Sequence, residues 1–413
     1  MNAEILAVGT ELLMGQIVNT NAQYISERLN SIGVNVYFHS VVGDNPKRLE
    51  NSIKLALERS DLVVITGGLG PTKDDITKEK VAEVFNRKMV LHEESLKRIK
   101  DYFIKLGREM TDNNAKQAYF PEDSIIIENN KGTAPGCIIE SENKVVIILP
   151  GPPREMQPMF DESVVPYLQK NSGYKIVSKY LRIFGIGEST LEEMIMDLVD
   201  KQEDVTIATY AKMGEVTVRL TCKSKLSEEG FNKICPFEEE IIKRLGSYVY
   251  STENENLEKV VARMLLDNNL TIAIAESCTG GLICSKLVSV SGISKAFNRG
   301  IVSYSNDSKI EDLGVNKDTI KNFGAVSKET AIEMAEGVQK LAGSDIGVSI
   351  TGIAGPGGGT AKKPVGLMYI ALAYKGNTVY KKLNLSGDRE RIINVASLHT
   401  FDLIRRQIGG IEI

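Results

Sequence analysis

Tryptophan is absent from this 413-residue chain, aromatics make up only 6% of it, and histidine occurs at just His39, His92 and His399. Imidazoles so few and scattered disfavour a histidine-based triad and favour lysine wherever a serine needs a base. Cysteine is sparse too. Cys137, Cys222, Cys235, Cys278 and Cys284 show no paired spacing, which argues against disulfides and thiolate zinc sites. No apolar run approaches the roughly 20 residues that would span a membrane. A basic surplus is also lacking: net charge is −4, without a Lys/Arg-rich stripe, so direct nucleic-acid binding is not expected. Ile5–Val8 reads as a short strand between Glu4 and Glu11, without the basic segment of a secretory signal. A cytoplasmic protein is the expectation.

What is present is ordinary globular composition, 42% hydrophobic and 25% charged, at a length that calls for two or three domains. Seven residues, Ala275-Glu-Ser-Cys-Thr-Gly-Gly281, are the most informative. They join a strand-like run, Leu270–Ile274, to a helix-like one, Leu282–Val288, and so put Ser277 where open α/β sheets bind ligands. Thr279 is expected to cap the helix, with Gly280 and Gly281 opening its first amides to a developing oxyanion. A capped helix with glycines for packing reads the same way. Downstream, a strand expected to end near Tyr304 runs into a helix capped by Ser305 or Asn306. Lys309 then lies in that helix's first turns, where the dipole disfavours an ammonium and a neutral lysine can serve a serine as base. Tyr304 would relay the proton or hold the lysine. The alternative is a solvated lysine and a core-edge tyrosine. A third strand end, Ser349–Gly366, is rich in glycine, and its Lys362 and Lys363 suit phosphate.

The stretch from about Leu257 onward resembles the carboxy-terminal domain of the CinA, or nicotinamide-nucleotide amidase, family. The resemblance rests on Ala275–Gly281, Tyr304 with Lys309, Thr351–Thr360 and Lys363–Gly366. It implies hydrolysis of nicotinamide mononucleotide to nicotinate mononucleotide and ammonia, without a cofactor. Ser277 would be the nucleophile, Lys309 its base and Tyr304 an assistant. Substrate would be bound by Thr279, Gly280, Gly281, Thr351, Gly352, Gly355 and Arg391.

At the other end, strand and helix patterns alternate: Ala3–Val8, Thr20–Ser31, Val34–Val42, Pro46–Arg59 and Asp61–Thr66. Such alternation predicts a mostly parallel sheet covered by helices. Its strand ends open into Gly9–Asn21, Gly43-Asp44 and Gly67–Glu79. Gly67, Gly68 and Gly70 suit a phosphate, and Glu11, Asp44, Asp74 and Asp75 offer oxygen ligands to a cation. Helix capping by Thr72 and Asp74 and a turn at Asp44 would explain some of the same residues. These segments, with Gly132–Gly136 and Leu149–Met156, resemble the molybdenum-cofactor-biosynthesis (MoCF) fold and the amino-terminal CinA domain. That resemblance implies hydrolysis of ADP-ribose to AMP and ribose 5-phosphate with Mg²⁺ or Co²⁺ and K⁺. It makes Asp75 the catalytic or metal-binding carboxylate, Asp44 and Asp74 further metal ligands, and Glu11, Asn19, Gly67, Gly68 and Gly70 substrate contacts. Related folds bind molybdopterin, so a molybdopterin-binding protein is one alternative and a non-enzymatic competence or recombination adaptor another.

Between the two, Tyr174–Tyr250 reads as β-α-β-β-α and is similar to a KH module, as in the CinA family. Glu188, Glu192 and Glu193 beside its Gly185-Ile-Gly-Glu188 loop favour a structural or dimerising spacer over an RNA binder. The expected fold class is therefore α/β throughout. An MoCF-like parallel-sheet domain over 1–170 precedes an α+β KH-like domain over 171–250 and a CinA amidase domain over 251–413. The expected partners are the small nucleotides and, in a homodimer, a second copy of the chain. No membrane is involved.

Overall fold

The computed structural model describes residues 1–141, 143–172 and 175–412. They divide into two compact units, residues 1–177 with 222–231, and residues 178–221 with 232–413.

In the first unit β1 (Asn2–Val8), α1 (Thr20–Ser31), β2 (Asn35–Val42), α2 (Pro46–Arg59), β3 (Leu62–Thr66) and α3 (Thr77–Val84) alternate as the sequence pattern predicts. After α4 (Glu93–Lys105), strands β4 (Ile125–Ile127), β5 (Gly136–Ser141) and β6 (Lys144–Leu149) complete a six-stranded sheet, and α5 (Pro153–Met159) follows. The strand order is β2-β1-β3-β6-β5-β4; β2, β1, β3 and β6 are parallel, while β5 and β4 form an antiparallel edge. The central strands are apolar on both faces because both are covered. Ile5, Leu62, Val64 and Ile147 pack toward α1 and Phe160, whereas Leu6, Val63, Ile65 and Ile148 pack toward α2 and Val81. Each such side chain, fully buried, is worth about 1.5–3 kcal/mol.

The second unit holds most of a four-stranded sheet of order β8-β9-β7-β10, built from β7 (Lys175–Phe184), β8 (Val205–Lys212), β9 (Glu215–Ser224) and β10 (Val249–Ser251), with β10 antiparallel to β7 and with helices α6 (Glu188–Val199) and α7 (Ser227–Leu245). Its larger sheet follows α8 (Leu257–Asp267). The sheet strands are β11 (Ile272–Glu276), β12 (Phe297–Val302), β13 (Ile346–Gly352), β14 (Leu367–Tyr374) and β15 (Asn377–Asn384), in the order β12-β11-β13-β14-β15. The helices among them include α9 (Leu282–Val288), α10 (Asn306–Leu313), α11 (Lys328–Ala342) and α12 (Arg389–Gly409). Strands β12, β11 and β13 run parallel, so their carboxyl ends lie side by side. Ile272 and Ile274 pack with Leu265 and Phe401 on one face, and Ala273 and Ala275 with Met334 and Val338 on the other. Phe184 and Tyr250 belong to the same core as Leu257, so the middle segment shares buried surface with the last one. Among the described residues no helix is long and apolar enough to cross a membrane.

Candidate functional site

Three parallel strand ends meet around Ser277. Its amide donates to the Ile350 carbonyl at 3.0 Å, extending the ladder by one residue before the chain turns. Gly280 and Gly281 then adopt φ of +64° and +99°, a left-handed pair that residues with a Cβ rarely occupy. This turn puts Thr279 out of register with the helix, and Thr279 does not cap α9 as the sequence suggested. Glu276, fully buried, reaches forward instead and accepts from the amides of Gly281 (3.0 Å), Ile283 (3.1 Å) and Cys284 (2.7 Å). The Gly281 amide is therefore occupied, and that of Gly280 donates to the Ser277 carbonyl at 3.1 Å. Neither is open to an oxyanion.

β12 ends at Val302, two residues before the expected position, because a capping box of Ser305 and Ser308 starts α10 immediately afterwards. Lys309 is 1% exposed, and its Nζ lies 3.0 Å from Ser277 Oγ. The carbonyls of Ser303 (2.7 Å), Tyr304 (3.4 Å) and Ser305 (3.4 Å) also accept from it. Among the described residues no carboxylate pairs with it, and burial pushes its pKa below the usual lysine value. A neutral amine has two N–H donors and a lone pair. With the donors on carbonyls, the lone pair is left for the serine proton.

Tyr304 touches Lys309 through its carbonyl, whereas its ring is 63% exposed and its hydroxyl accepts from Arg389 Nη2 at 3.3 Å. The tyrosine therefore holds the base by main chain and relays nothing in this arrangement. Arg389 also donates to the Gly355 carbonyl at 2.7 Å, so it and not Arg391 is the cation beside the glycine loop. The two lie two positions apart on α12 and so face opposite ways; Arg391 contributes its amide to the Asp388 cap at 2.8 Å. The Asp388 cap after Gly387 is the signal that would have favoured Arg389. Thr351 Oγ1 donates to the Ala325 carbonyl at 2.8 Å, and a Cβ at Gly352 would lie 1.9 Å from Met368 Sδ. Both are committed to packing and main-chain contacts of the strand end. Lys363, expected to suit phosphate, is spent on the carbonyls of Phe323 (2.6 Å) and Val326 (2.7 Å). Cys278 is turned into the core against Met368 Sδ at 3.3 Å, and burial pushes its thiol up to about 12. It is no rival nucleophile.

In the first unit Gly67, Gly68, Gly70, Glu11, Asp44, Asp74 and Asp75 line one cavity of about 380 Å³. A Cβ at Gly67 (φ +108°) would come within 2.1 Å of the Val8 carbonyl oxygen, so only glycine fits there. Asp44 Oδ2 accepts from the Thr10 amide (3.1 Å) and hydroxyl (2.8 Å), and Asp75 Oδ2 from the Thr72 amide (3.0 Å) and hydroxyl (2.5 Å). Asn19 caps α1 by accepting from the Ala22 amide at 3.1 Å. Among the described residues no three His, Cys, Asp or Glu side chains converge closely enough to hold one ion. Asp44, Asp74 and Asp75 thus share a cavity without forming a ready-made metal centre, and Thr10 and Thr72 each engage one oxygen, Oδ2, of Asp44 and of Asp75. Sequence reasoning missed Lys116, which donates to the carbonyls of Thr72 and Asp75, and the cavity residues Gln117 and Glu155. The Pro-Pro-Arg-Glu run pointed toward Glu155 alone.

Fold and sites together define an α/β protein with a serine–lysine pair at one set of strand ends and a glycine-and-carboxylate cavity at another. Family models match accordingly: "CinA C-terminal domain" over residues 254–408, "Probable molybdopterin binding domain" over 4–170 and "Damage-inducible protein CinA KH domain" over 178–251. A protein of Acetivibrio thermocellus named as competence-damage inducible is 66% identical over 99% of both chains, and one of Clostridium novyi is 55% identical over 99% of both. A crystal structure of a CinA protein with unknown function from Thermoplasma acidophilum is 41% identical, covers 40% of this chain and 97% of its own, and has a TM-score of 0.37. The chain belongs to the CinA family of competence-damage inducible proteins.

Proposed function

We propose that the carboxy-terminal site is a serine–lysine amidase acting on nicotinamide mononucleotide. The observation that carries this reading is the 3.0 Å approach of Lys309 Nζ to Ser277 Oγ, with no carboxylate among the described residues to keep the lysine charged. Ser277 Oγ attacks the carboxamide carbon while Lys309 takes its proton. The negative oxygen is received by the amides of Cys278 and Thr279, since those of Gly280 and Gly281 are engaged. Lys309 returns the proton to the amide nitrogen, the C–N bond breaks, and ammonia leaves. Water, deprotonated by Lys309, then cleaves the serine ester to release the carboxylate. Arg389 is the cation placed to meet the substrate's phosphate once it leaves Gly355. The test is ammonia release from nicotinamide mononucleotide, repeated with hydroxylamine. A hydroxamate product supports the serine ester, and no ammonia from this substrate refutes the assignment.

For the amino-terminal cavity we infer hydrolysis of ADP-ribose to AMP and ribose 5-phosphate. The residues fit a divalent cation only partly: one or two carboxylates, Asp75 foremost, complemented by substrate phosphates in the manner common for Mg²⁺. A bound cation would neutralise charge developing on the phosphoanhydride. The chain's own part is to seat phosphate on Gly67–Gly70 and hold Asp75 through Thr72. The matched family description favours a second reading, molybdopterin binding. Incubation with ADP-ribose, Mg²⁺ or Co²⁺, and K⁺ separates them: AMP supports the first, whereas no AMP with molybdopterin bound supports the second.

A further inference from the structure

Helices α9 and α12 carry the two ends of the amidase site. α9 starts at Leu282, straight after the turn that aims Ser277, and α12 starts at Arg389, the cation beside Gly355. Arg389 is near enough to bear electrostatically on the Cys278 thiol, one residue from Ser277. Ile283 and Leu287 of the first helix and Ile392 and Ala396 of the second belong to one buried core. Apolar burial is non-directional, so by itself it does not fix how far one helix sits along the other.

A polar contact crosses the same seam. Lys286 Nζ donates to Ser397 Oγ at 3.0 Å, where Ser397 is fully buried and Lys286 half-buried. Ser397 Oγ donates its own proton to the Asn394 carbonyl at 2.6 Å, so toward the lysine it is an acceptor. Asn394 Nδ2 in turn donates to the Glu390 carbonyl at 3.0 Å. The bonds run from α9 back along α12 to the residue beside Arg389, and bonds in such a chain polarise one another. Among the described residues no carboxylate pairs with Lys286. A lysine left in water keeps its hydration and its rotamer freedom. Lys286 gives up part of both to hold a hydroxyl that its own helix already satisfies.

Resting on the amidase reading above, we propose that Lys286 is a positioning residue that fixes the span between Ser277 and Arg389. Its bond to Ser397 sets α12 along its axis. The span so set fits a carboxamide and a phosphate carried on one frame of mononucleotide length. A phosphate-free nucleoside reaches Ser277 without using Arg389 and is indifferent to the bond.

Steady-state ammonia release by the full chain from nicotinamide mononucleotide and from nicotinamide riboside, which lacks only the phosphate, tests this. Wild type is expected to prefer the mononucleotide. Lys286→Met is expected to raise KM for the mononucleotide by about threefold to tenfold, the range for one hydrogen bond, with kcat held and both constants for the riboside unchanged. Ser397→Ala should give the same loss, and the double variant no more than either single one. Lys286→Arg keeps a donor and should recover most of the mononucleotide KM. A loss shared equally by the two ligands makes Lys286 a merely structural residue and overturns the proposal, as does an unchanged KM in Lys286→Met. If Lys286→Met does not fold, Ser397→Ala decides by the same comparison. Ammonia from both ligands without preference in wild type overturns the span and leaves the amidase standing. Ammonia from neither overturns both.

Discussion

Ser277 and Lys309 form a unit, and their removal should be non-additive. Ser277→Ala is expected to lower amidase kcat by about 10⁴-fold or more, and Ser277→Ala with Lys309→Met to be little worse than either alone. Additive losses in a steady-state assay would assign Lys309 to substrate binding instead. Because the base works as a neutral amine and burial lowers its pKa, kcat/KM should rise with pH and level off below the free-lysine value of about 10.4. Stability has the same sign. A lysine whose folded pKa lies below its unfolded one costs stability while protonated, and that cost fades as pH rises through the window between the two. Denaturant titrations at pH 7 and pH 10 should therefore show wild type gaining on Lys309→Met at the higher pH.

At the scale of an element, the turn from β11 into α9 depends on Glu276. Its carboxylate satisfies amides that the left-handed glycines would otherwise leave unpaired at a helix start, where negative charge is also favoured. Glu276→Gln keeps the shape but can present only one acceptor oxygen, and should cost about 1–2 kcal/mol in chemical denaturation. It should also lower kcat more than KM, because the turn sets where Ser277 points. This element shows what was legible and what was not. The strand, glycine turn and helix were readable from an apolar run, a Gly-Gly pair and a second apolar run. Strand-to-helix register was not, so the cap was assigned to Thr279, the short polar residue nearest the helix, when a longer side chain further back reaches it. Arg391 is the arginine the family resemblance points to, and only the phase of α12 shows that Arg389 is the one that reaches Gly355.

Across the whole molecule the two candidate sites use no common side chain and belong to different compact units. Asp75→Asn should therefore abolish cleavage of ADP-ribose while leaving ammonia release within about twofold of wild type, measured on one preparation. Loss of both activities would mean that the two units communicate. At this scale the alternation of strand and helix made the α/β class legible, since buried central strands must be apolar on both faces. The carboxylates of the first unit were legible as strand-end residues, but not their engagement. Asp44 accepts from Thr10 on another strand-end loop, and Asp75 from Thr72 within one turn, contacts that depend on backbone direction.

Among the described residues, the oxygens that accept from Lys309 Nζ other than that of Ser277 are main-chain carbonyls of Ser303, Tyr304 and Ser305. A carbonyl survives any amino-acid replacement at its own position. Point mutation can therefore alter the side chains of this turn without deleting a single one of those contacts, whereas an insertion or deletion of one codon between positions 303 and 309 would displace them all at once. In heritable terms the base is sheltered from substitution and vulnerable to changes of length. A library of such variants should show activity tolerant of replacement at Ser303 and Tyr304 and lost with any indel in the interval.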